Sequence, residues 1–284
     1  VWENYGMVPE AAYTGLNNGT EEHNHSELNN ILTAYVDALI ENKQKGLTSK
    51  WKEGFEAVVD TYLGDVPEKF EYRGKEYTPE SFASEMELDM DNYVSITSFT
   101  HHPFYDDFVL EIPDNWLHVE SYNVPLEDMM ETIDHAIMNG YSFAWGADVS
   151  EKGFAFREGL AIMPEDESTI DVKGKDNQNF SDAGAEKVSN AFETPVKQKE
   201  ITQELRQEQF DNWQTTDDHG MQVTGIVEDQ NGDKYYIVKN SWGKEYNELD
   251  GYFFASESYV KLKTMNIYLH KDAIPKKIAE KLEI

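Results

Sequence analysis

Cysteine is absent from all 284 residues of the chain. Disulfide bonds and thiolate metal sites need cysteine sulfur, so both are excluded within these residues. A thiol nucleophile is excluded in the same way. The absence says nothing about the compartment, because cytoplasmic and exported proteins can both lack cysteine. The localisation therefore stays open.

Basic residues are few as well. The chain has 24 Lys and Arg residues against 55 Asp and Glu residues, which gives a formal net charge of -31 at pH 7. A surface of this sign repels a phosphate backbone, whereas nucleic-acid binders carry basic patches that replace counterions. The composition therefore predicts no nucleic-acid partner.

Long apolar runs are also missing. No stretch approaches the ~18 residues of a membrane span, which predicts a soluble or at most peripheral protein. The first ten residues, VWENYGMVPE, hold neither a basic nor an apolar segment, so no targeting signal is predicted there. Hydrophobic residues still make up 39% of the chain and aromatic residues 13%, which predicts a folded protein with a buried core.

The first third of the chain, 1–92, has a helical pattern. Apolar residues recur at helical spacing in 26–46 and 49–64, and both stretches start at a serine and end at a glycine. Gly74 suits a tight turn between two short strands, and Pro79 opens a further helix. We interpret the apolar faces of these helices as packed core.

Beyond this region the apolar pattern changes to that of strands. We assign the strands to 93–164 and 216–270. The intervening residues 165–215 are polar and acidic, and we predict a surface insertion that is helical over 195–213. A C-terminal helix is predicted within 271–284.

A predicted hairpin brings two polar side chains together. The Asn231-Gly232 dipeptide between apolar runs is a favoured hairpin turn. His219 opens the first run and Asn240 closes the second, so antiparallel pairing brings both to the same end. Trp242 follows closely and is expected to shield a hydrogen bond between them from water.

A histidine paired with an asparagine suits a cysteine nucleophile. A thiol attacks an amide well only as a thiolate, which an adjacent imidazole can hold as an ion pair. We expect the Asn240 amide oxygen to orient the ring of His219 by accepting the proton on Nδ1. Asp218 could raise the pKa of this imidazole, but we assign it no catalytic role.

The chain resembles the papain-like cysteine peptidases, specifically the bleomycin hydrolase and aminopeptidase C family. Four blocks carry the resemblance: VWENYGMVPEAAY, MNGYSFAWGADVSEKGFAFREGLA, HGMQVTGIVEDQNGDKYYIVKNSWGKEYNELDGYFFAS and HKDAIPKKIAEKL. In order, they are similar to the segment after the nucleophile helix, the border of the substrate pocket, the histidine and asparagine strands, and the C-terminal helix. The family's cysteine precedes the first block, so the resemblance implies that an N-terminal portion carrying it lies upstream of Val1.

The resemblance implies an α+β, papain-like fold with a helical region, a half-open antiparallel β-barrel and a helical, acidic insertion. It implies a thiol protease of the aminopeptidase type that acts on peptides without cofactor or metal, and a homohexamer. His219 and Asn240 would be catalytic, Trp242 would support them, and Ala144 would line the substrate pocket. Without the upstream cysteine, the 284 residues alone are predicted to be inactive.

Two functions stay open at this point. The first is the cysteine peptidase, with its nucleophile upstream of the residues shown. The second is a non-catalytic, papain-like binding protein or pseudo-enzyme, which would keep the cleft without ever having had the cysteine. Intact mass or N-terminal sequencing of the source protein would separate them, since only the first requires a segment bearing cysteine before Val1.

The remaining histidines and acidic clusters are assigned no function. The pairs His23/His25 and His101/His102 lack an i,i+4 spacing or a third ligand nearby, so we interpret them as loop histidines and predict no metal site. The carboxylates of EDES (165–168) and TTDD (215–218) are interpreted as a solvated acidic face.

Overall fold

A computed structural model describes the chain apart from residues 1, 18, 20–22, 44–45, 88, 171, 174–185 and 188–189. The chain divides into two units, Val1–Met90 and Asp91–Ile284. Part of the predicted acidic insertion, within 171–189, lies outside the described residues. Within the described ranges, no helix is long and apolar enough to cross a membrane.

The first unit combines helices with one short hairpin. Its elements are α1 (Trp2–Tyr5), α2 (Ser26–Ile40), α3 (Lys50–Leu63), β1 (Phe70–Tyr72), β2 (Lys75–Tyr77) and α4 (Pro79–Glu85). Gly74 makes the turn between β1 and β2 with a positive φ of 79°. Thr78 caps α4 reciprocally with Ser81, each side chain accepting a hydrogen bond from the backbone N–H of the other. The sequence thus predicted α2, α3, the hairpin and α4, although α2 ends at Ile40, before the predicted stop at Gly46.

The apolar faces of α2 and α3 are much less buried than predicted. Leu28 is the buried residue of α2, Ile31 is 38% exposed, and the described residues of α3 include no buried one. The buried cluster of this unit lies instead at the hairpin and α4 (Phe70, Tyr77 and Phe82). Helical periodicity therefore predicted the helices correctly and their burial wrongly, because burial needs a facing layer.

The second unit is built on a large sheet. Its strands are β3 (Tyr93–Thr97), β4 (Asp106–Val109), β5 (Glu120–Asn123), β6 (Phe143–Ala147), β7 (Phe154–Ala155), β8 (Leu160–Ala161), β11 (His219–Glu228), β12 (Lys234–Lys239), β13 (Tyr252–Ser256) and β14 (Thr264–His270). A separate short pair is formed by β9 (Val172–Lys173) and β10 (Glu186–Lys187). The order in the ten-stranded sheet is β4-β5-β3-β14-β6-β11-β12-β13-β8-β7.

This sheet is mixed and open. Strand β3 pairs with β5, and β13 with β8, in parallel, while the other pairings are antiparallel. The α+β class is therefore confirmed, and the half-open barrel that was expected to be antiparallel contains two parallel pairings. Strands β4 and β7 are the two ends of the described sheet and do not pair with each other, so no closed barrel forms.

Helix α5 (Leu126–Met138) packs its apolar face against the sheet. Met129, Ile133 and Ala136 are fully buried there, beside Trp145 of β6. The indole of Trp145 donates a hydrogen bond of 2.7 Å to the hydroxyl of Thr264. Burying a large apolar side chain stabilises the fold by about 1.5–3 kcal/mol, so the buried residues of α5 hold the helix on the sheet.

Strands β11 and β12 form the predicted hairpin. Gly232 has a positive φ of 88° at its turn, which glycine adopts readily. The strands pair from Gln222 with Lys239 to Glu228 with Lys234, and the register shifts between Val223 and Gly225. The start of β11 and the end of β12 therefore lie at the same edge of the sheet.

The insertion is not confined to the surface. Its helix α6 (Gln203–Asp211) begins later than predicted, because the preceding residues run alongside 163–165, with the Lys199 N–H donating to the Met163 carbonyl. Arg206 of α6 is fully buried and donates to the carbonyls of Ser98, Lys261 and Leu262.

The remaining helices are α7 (Glu257–Lys263) and α8 (Lys276–Leu282). Helix α8 lies within the predicted C-terminal helix and buries Ile278 and Leu282 on one face. The residues just before it, Lys271–Ala273, form a separate 3-10 turn.

Candidate active site

His219 and Asn240 are in direct contact. The imidazole Nε2 of His219 lies 2.8 Å from the Asn240 amide oxygen Oδ1. The backbone N–H of Ser241 donates to the same oxygen at 2.7 Å, which fixes the orientation of the amide. Because this oxygen only accepts, Nε2 must be the protonated nitrogen of the neutral ring. The expected contact through Nδ1 is therefore wrong, and the lone pair of the neutral ring is on Nδ1.

Trp242 covers the imidazole. Its ring centroid lies 5.0 Å from that of His219, with the two planes inclined by 32°. Phe154 and Phe156 meet the indole edge-on, which holds it in place. Asn240 is only 6% exposed, so its contact with His219 is largely withdrawn from water.

The pKa of His219 is below its ordinary value. Burial is the main cause, since it disfavours the charged ring. The hydrogen bond to Asn240 and the charge of Asp218 both raise the pKa, but less than burial lowers it. The upward effect that the sequence suggested for Asp218 is thus present and outweighed. The ring is neutral at neutral pH, as a general base requires.

Asp218 is not part of a solvated acidic face. Its carboxylate accepts hydrogen bonds from the N–H groups of Val149 and Ser150 and from the hydroxyls of Ser150 and Thr216. Burial raises the pKa of Asp218. These hydrogen bonds, led by that of Ser150, lower it by more, so the pKa of Asp218 is below its ordinary value. Asp218 therefore ties the start of β11, and with it His219, to the loop after β6.

A cleft of about 580 Å³ opens beside His219. Strands β6, β11 and β14 contribute to its lining, and so does the segment 110–119. Ala144 is exposed on β6 and lies in this lining, paired with Gln222 of β11 and Tyr268 of β14. The structure thus brings Ala144 and His219 into one cleft.

The cleft carries acidic groups close to His219. Asp114 and Asp217 line it together with Asp218. Burial raises the pKa of Asp217 to about 6, and the charges of Asp114 and Asp218 add to that shift. The solvated-face interpretation is thus wrong for Asp217 as well. Carboxylates in such a cleft attract a cationic group.

One cluster escaped the sequence reasoning. His101 and His102 have a third neighbour, Glu111, and the ligand atoms of the three lie within 4.8 Å of one another. The expectation that His101 and His102 lack a third ligand is therefore wrong. Glu111 follows β4 while the two histidines precede it, so their contact spans the strand and is not visible as a short sequence motif.

Comparison with known proteins gives relatives over nearly the whole chain. Residues 190–284 match the model of the Peptidase C1-like family. Aminopeptidase C of Listeria monocytogenes is 24% identical over 98% of this chain and 62% of its own length. Aminopeptidase C of Lactobacillus helveticus is 25% identical over 96% of this chain and 60% of its own length. The chain thus spans less than two thirds of these relatives.

Among solved structures, the fold is similar to that of PepW from Lactobacillus rhamnosis. The TM-score is 0.66 at 19% sequence identity, and the match covers 99% of this chain and 63% of PepW. The similarity of fold therefore extends over nearly the whole chain. The resemblance carried by the four sequence blocks is confirmed: this chain is similar to aminopeptidase C over nearly its whole length and to the Peptidase C1-like family over 190–284.

Proposed function

We propose that the complete protein is a cysteine peptidase of the aminopeptidase type, with a thiol supplied by a segment outside the 284 residues. The observation that carries this proposal is the contact between His219 Nε2 and Asn240 Oδ1, covered by Trp242, at the edge of a cleft. The relatives are named aminopeptidases, which supports the same chemistry.

In this proposal, each nitrogen of His219 has a separate task. Nε2–H donates to Asn240 and holds the ring in one orientation. Nδ1 accepts the proton of the thiol, and the resulting thiolate attacks the peptide carbonyl carbon. The imidazolium then gives that proton to the leaving amine as the C–N bond breaks. Water hydrolyses the thioester that remains, with Nδ1 again taking a proton.

Burial supports this proton cycle. The lowered pKa of His219 favours the neutral ring, so Nδ1 can accept the proton of the thiol. Once the ring is charged, the Asn240 oxygen and the nearby carboxylate of Asp218 stabilise it without removing its proton. Trp242 limits water at the Nε2 contact, which keeps that hydrogen bond strong.

The cleft favours substrates with a positive charge. Asp114, Asp217 and Asp218 line it, and the whole chain has a formal net charge of -31. The terminal ammonium of a peptide would be attracted to such a cleft, consistent with removal of N-terminal residues. Ala144 leaves space in the lining for a substrate side chain. A homohexamer is proposed from the family resemblance alone.

A papain-like binding protein remains the second candidate, favoured by the absence of cysteine from the 284 residues. The two functions differ in whether a thiol is needed. The complete protein from its source should cleave an aminoacyl-coumarin substrate and lose that activity on treatment with iodoacetamide. Peptide mapping should then place the alkylated cysteine before Val1. Activity that survives alkylation, or a protein without any cysteine, would contradict the peptidase proposal.

The 284 residues alone also test whether hydrolysis requires a cysteine thiol. They contain no thiol, so we expect no hydrolysis of the aminoacyl-coumarin substrate above the buffer rate. Turnover that remains with the pure chain after a second purification would show that the nucleophile is not a cysteine.

A further inference from the structure

The two histidines missed by the sequence reasoning share a single carboxylate. His101 Nε2 lies 3.1 Å from one oxygen of Glu111, and His102 Nε2 lies 2.7 Å from the other. Both histidines therefore direct Nε2 towards the same carboxylate, one to each of its oxygens. All three side chains also keep some exposure to solvent, which leaves a path for an ion to enter.

The backbone beneath the histidines is held from inside the fold. Asn123 is fully buried at the end of β5, and its Nδ2 lies within hydrogen-bond distance of the carbonyls of Phe99, His102 and Pro103. Its Oδ1 accepts from the N–H of Phe99. One side chain thus fixes the turn that carries both imidazoles, before any ligand binds.

The rings themselves are also fixed. His102 stacks on Phe108 at 4.2 Å between centroids, and His101 stacks on Phe210 at 5.4 Å. Gln207, which is largely buried, places its amide oxygen Oε1 3.4 Å from Nδ1 of His101. An oxygen that accepts the proton on Nδ1 leaves Nε2 of the neutral ring with the lone pair that binds a metal.

From this geometry we propose that His101, His102 and Glu111 bind one divalent transition-metal ion of the zinc class. Two imidazoles and a carboxylate are ligands that zinc prefers, and three protein ligands leave a position for water. Tetrahedral zinc with bonds of about 2.0–2.1 Å needs ligand atoms roughly 3.4 Å apart. The distances from Glu111 to the two imidazoles are 3.1 and 2.7 Å, and all three ligand atoms lie within 4.8 Å of one another, so these separations bracket the value that zinc needs.

Such an ion would also fix one wall of the cleft beside His219. Glu111 is followed directly by the segment that lines the cleft through Ile112, Asp114 and Asn115. The metal would tie this segment to the turn that Asn123 holds. The site is independent of the peptidase proposal, because none of its ligands touches His219 or Asn240 among the contacts described.

The test is titration of the 284-residue chain with Zn²⁺ by calorimetry. Excess Mg²⁺ and salt should be present, because the net charge of -31 attracts cations non-specifically. We expect one equivalent of Zn²⁺ to bind and to raise the melting temperature relative to EDTA. Glu111→Gln, which keeps the shape of the side chain, should weaken binding by more than the ~10–100-fold typical of outer-shell partners.

The matched control removes two histidines elsewhere. His23→Ala/His25→Ala acts on a pair in the first unit, which forms no comparable three-ligand group among the residues described, and should bind Zn²⁺ as the unchanged chain does. His102→Ala should lose binding, and equal melting temperatures in EDTA would show that it still folds. The proposal is overturned if Zn²⁺ fails to bind, or if Glu111→Gln and His102→Ala bind it normally. Loss of binding in His219→Ala instead would place the ion at the other histidine and overturn it too.

Discussion

Helices α2 and α5 have the same kind of amphipathic sequence but very different surroundings. In α5, six residues are buried against the sheet: Leu126, Met129, Met130, Thr132, Ile133 and Ala136. In α2, Leu28 is buried, while Ile31 and Ile40 stay exposed. The second unit therefore has a layered core, whereas the first has a small cluster. The spacing of apolar residues predicts a helix, but only a packed neighbouring layer buries those residues and lets them stabilise the fold.

The chemistry follows the same division. His219, Asn240 and the cleft all belong to the second unit. The first unit contains His23 and His25, which are exposed. If the units differ in role as they do in packing, changes in the second should affect activity and stability far more than matched changes in the first.

The largest expected effect is on catalysis by the complete protein. His219→Ala should lower kcat/KM by about 10⁴-fold or more, because the nucleophile and its base act as a unit. His25→Ala is the matched change in the first unit and should leave kcat/KM unchanged. Steady-state hydrolysis of an aminoacyl-coumarin substrate measures both. Similar activities of the two variants would remove His219 from the mechanism.

Asn240→Ala should have a smaller effect within the same site. Loss of the amide oxygen frees Nε2 and lets the ring rotate, but Nδ1 can still accept a proton in a fraction of orientations. We expect kcat to fall roughly 10²-fold, at the lower end of the range for general acid–base contacts. A loss as complete as that of His219→Ala would indicate that the asparagine does more than orient the ring.

The same substitution, isoleucine to alanine, can be made on α5 and on α2 to compare their contributions to stability. Ile133→Ala on α5 removes a fully buried side chain and should cost about 2–5 kcal/mol of unfolding free energy. Ile31→Ala on α2 removes a side chain that is 38% exposed and should cost about 1 kcal/mol or less. Urea denaturation followed by circular dichroism gives both values. Equal costs would show that the α2 face is covered in solution.

The smallest effects concern pH, and they should have opposite signs in the two units. The pKa of Asp217 is raised to about 6, so its charge destabilises the fold above that pH and ceases to do so as pH falls towards 4. Asp217→Asn should therefore stabilise the chain at pH 7 by roughly 1 kcal/mol, since the carboxyl is still partly exposed. The gain should vanish near pH 4.

Glu80 at the start of α4 should behave in the reverse way. Hydrogen bonds from its own backbone and from Thr78 hold its pKa below the ordinary value. Its stabilising contribution is present above the unfolded pKa and is lost as pH falls through the folded one. Glu80→Gln should therefore be slightly destabilising at pH 7 and neutral in acid. Urea midpoints across this pH range would reveal the contrast, and shifts of the same sign would contradict it.

The hairpin shows how far the sequence alone could lead. The Asn231-Gly232 turn fixes the register, and the register brings His219 and Asn240 to one edge, so their proximity was predictable. The choice of Nε2 was not, because it depends on side-chain rotation at the end of a strand. The roles proposed for both residues stay predictions until they are tested by mutation.

Long-range pairings account for the other differences. Glu111 contacts His101 and His102 from the other end of β4, which no local pattern encodes. The late start of α6 results from contacts of 197–199 with 163–165, although the helical pattern begins earlier. The exposed face of α2 likewise depends on what lies opposite it. Local patterns predicted the helices and strands, and these contacts determined where the elements end and which of their residues are buried.

Arg206 has a consequence for engineering of this protein. Its guanidinium satisfies three backbone carbonyls from two distant parts of the second unit and lies 4.5 Å from the ring of Phe99. Trimming the chain between β8 and β11 to shorten the acidic segment would leave those carbonyls without their donor. A loop exchange with a relative should therefore transplant the whole of α6, because this helix anchors the inserted segment to the rest of the second unit.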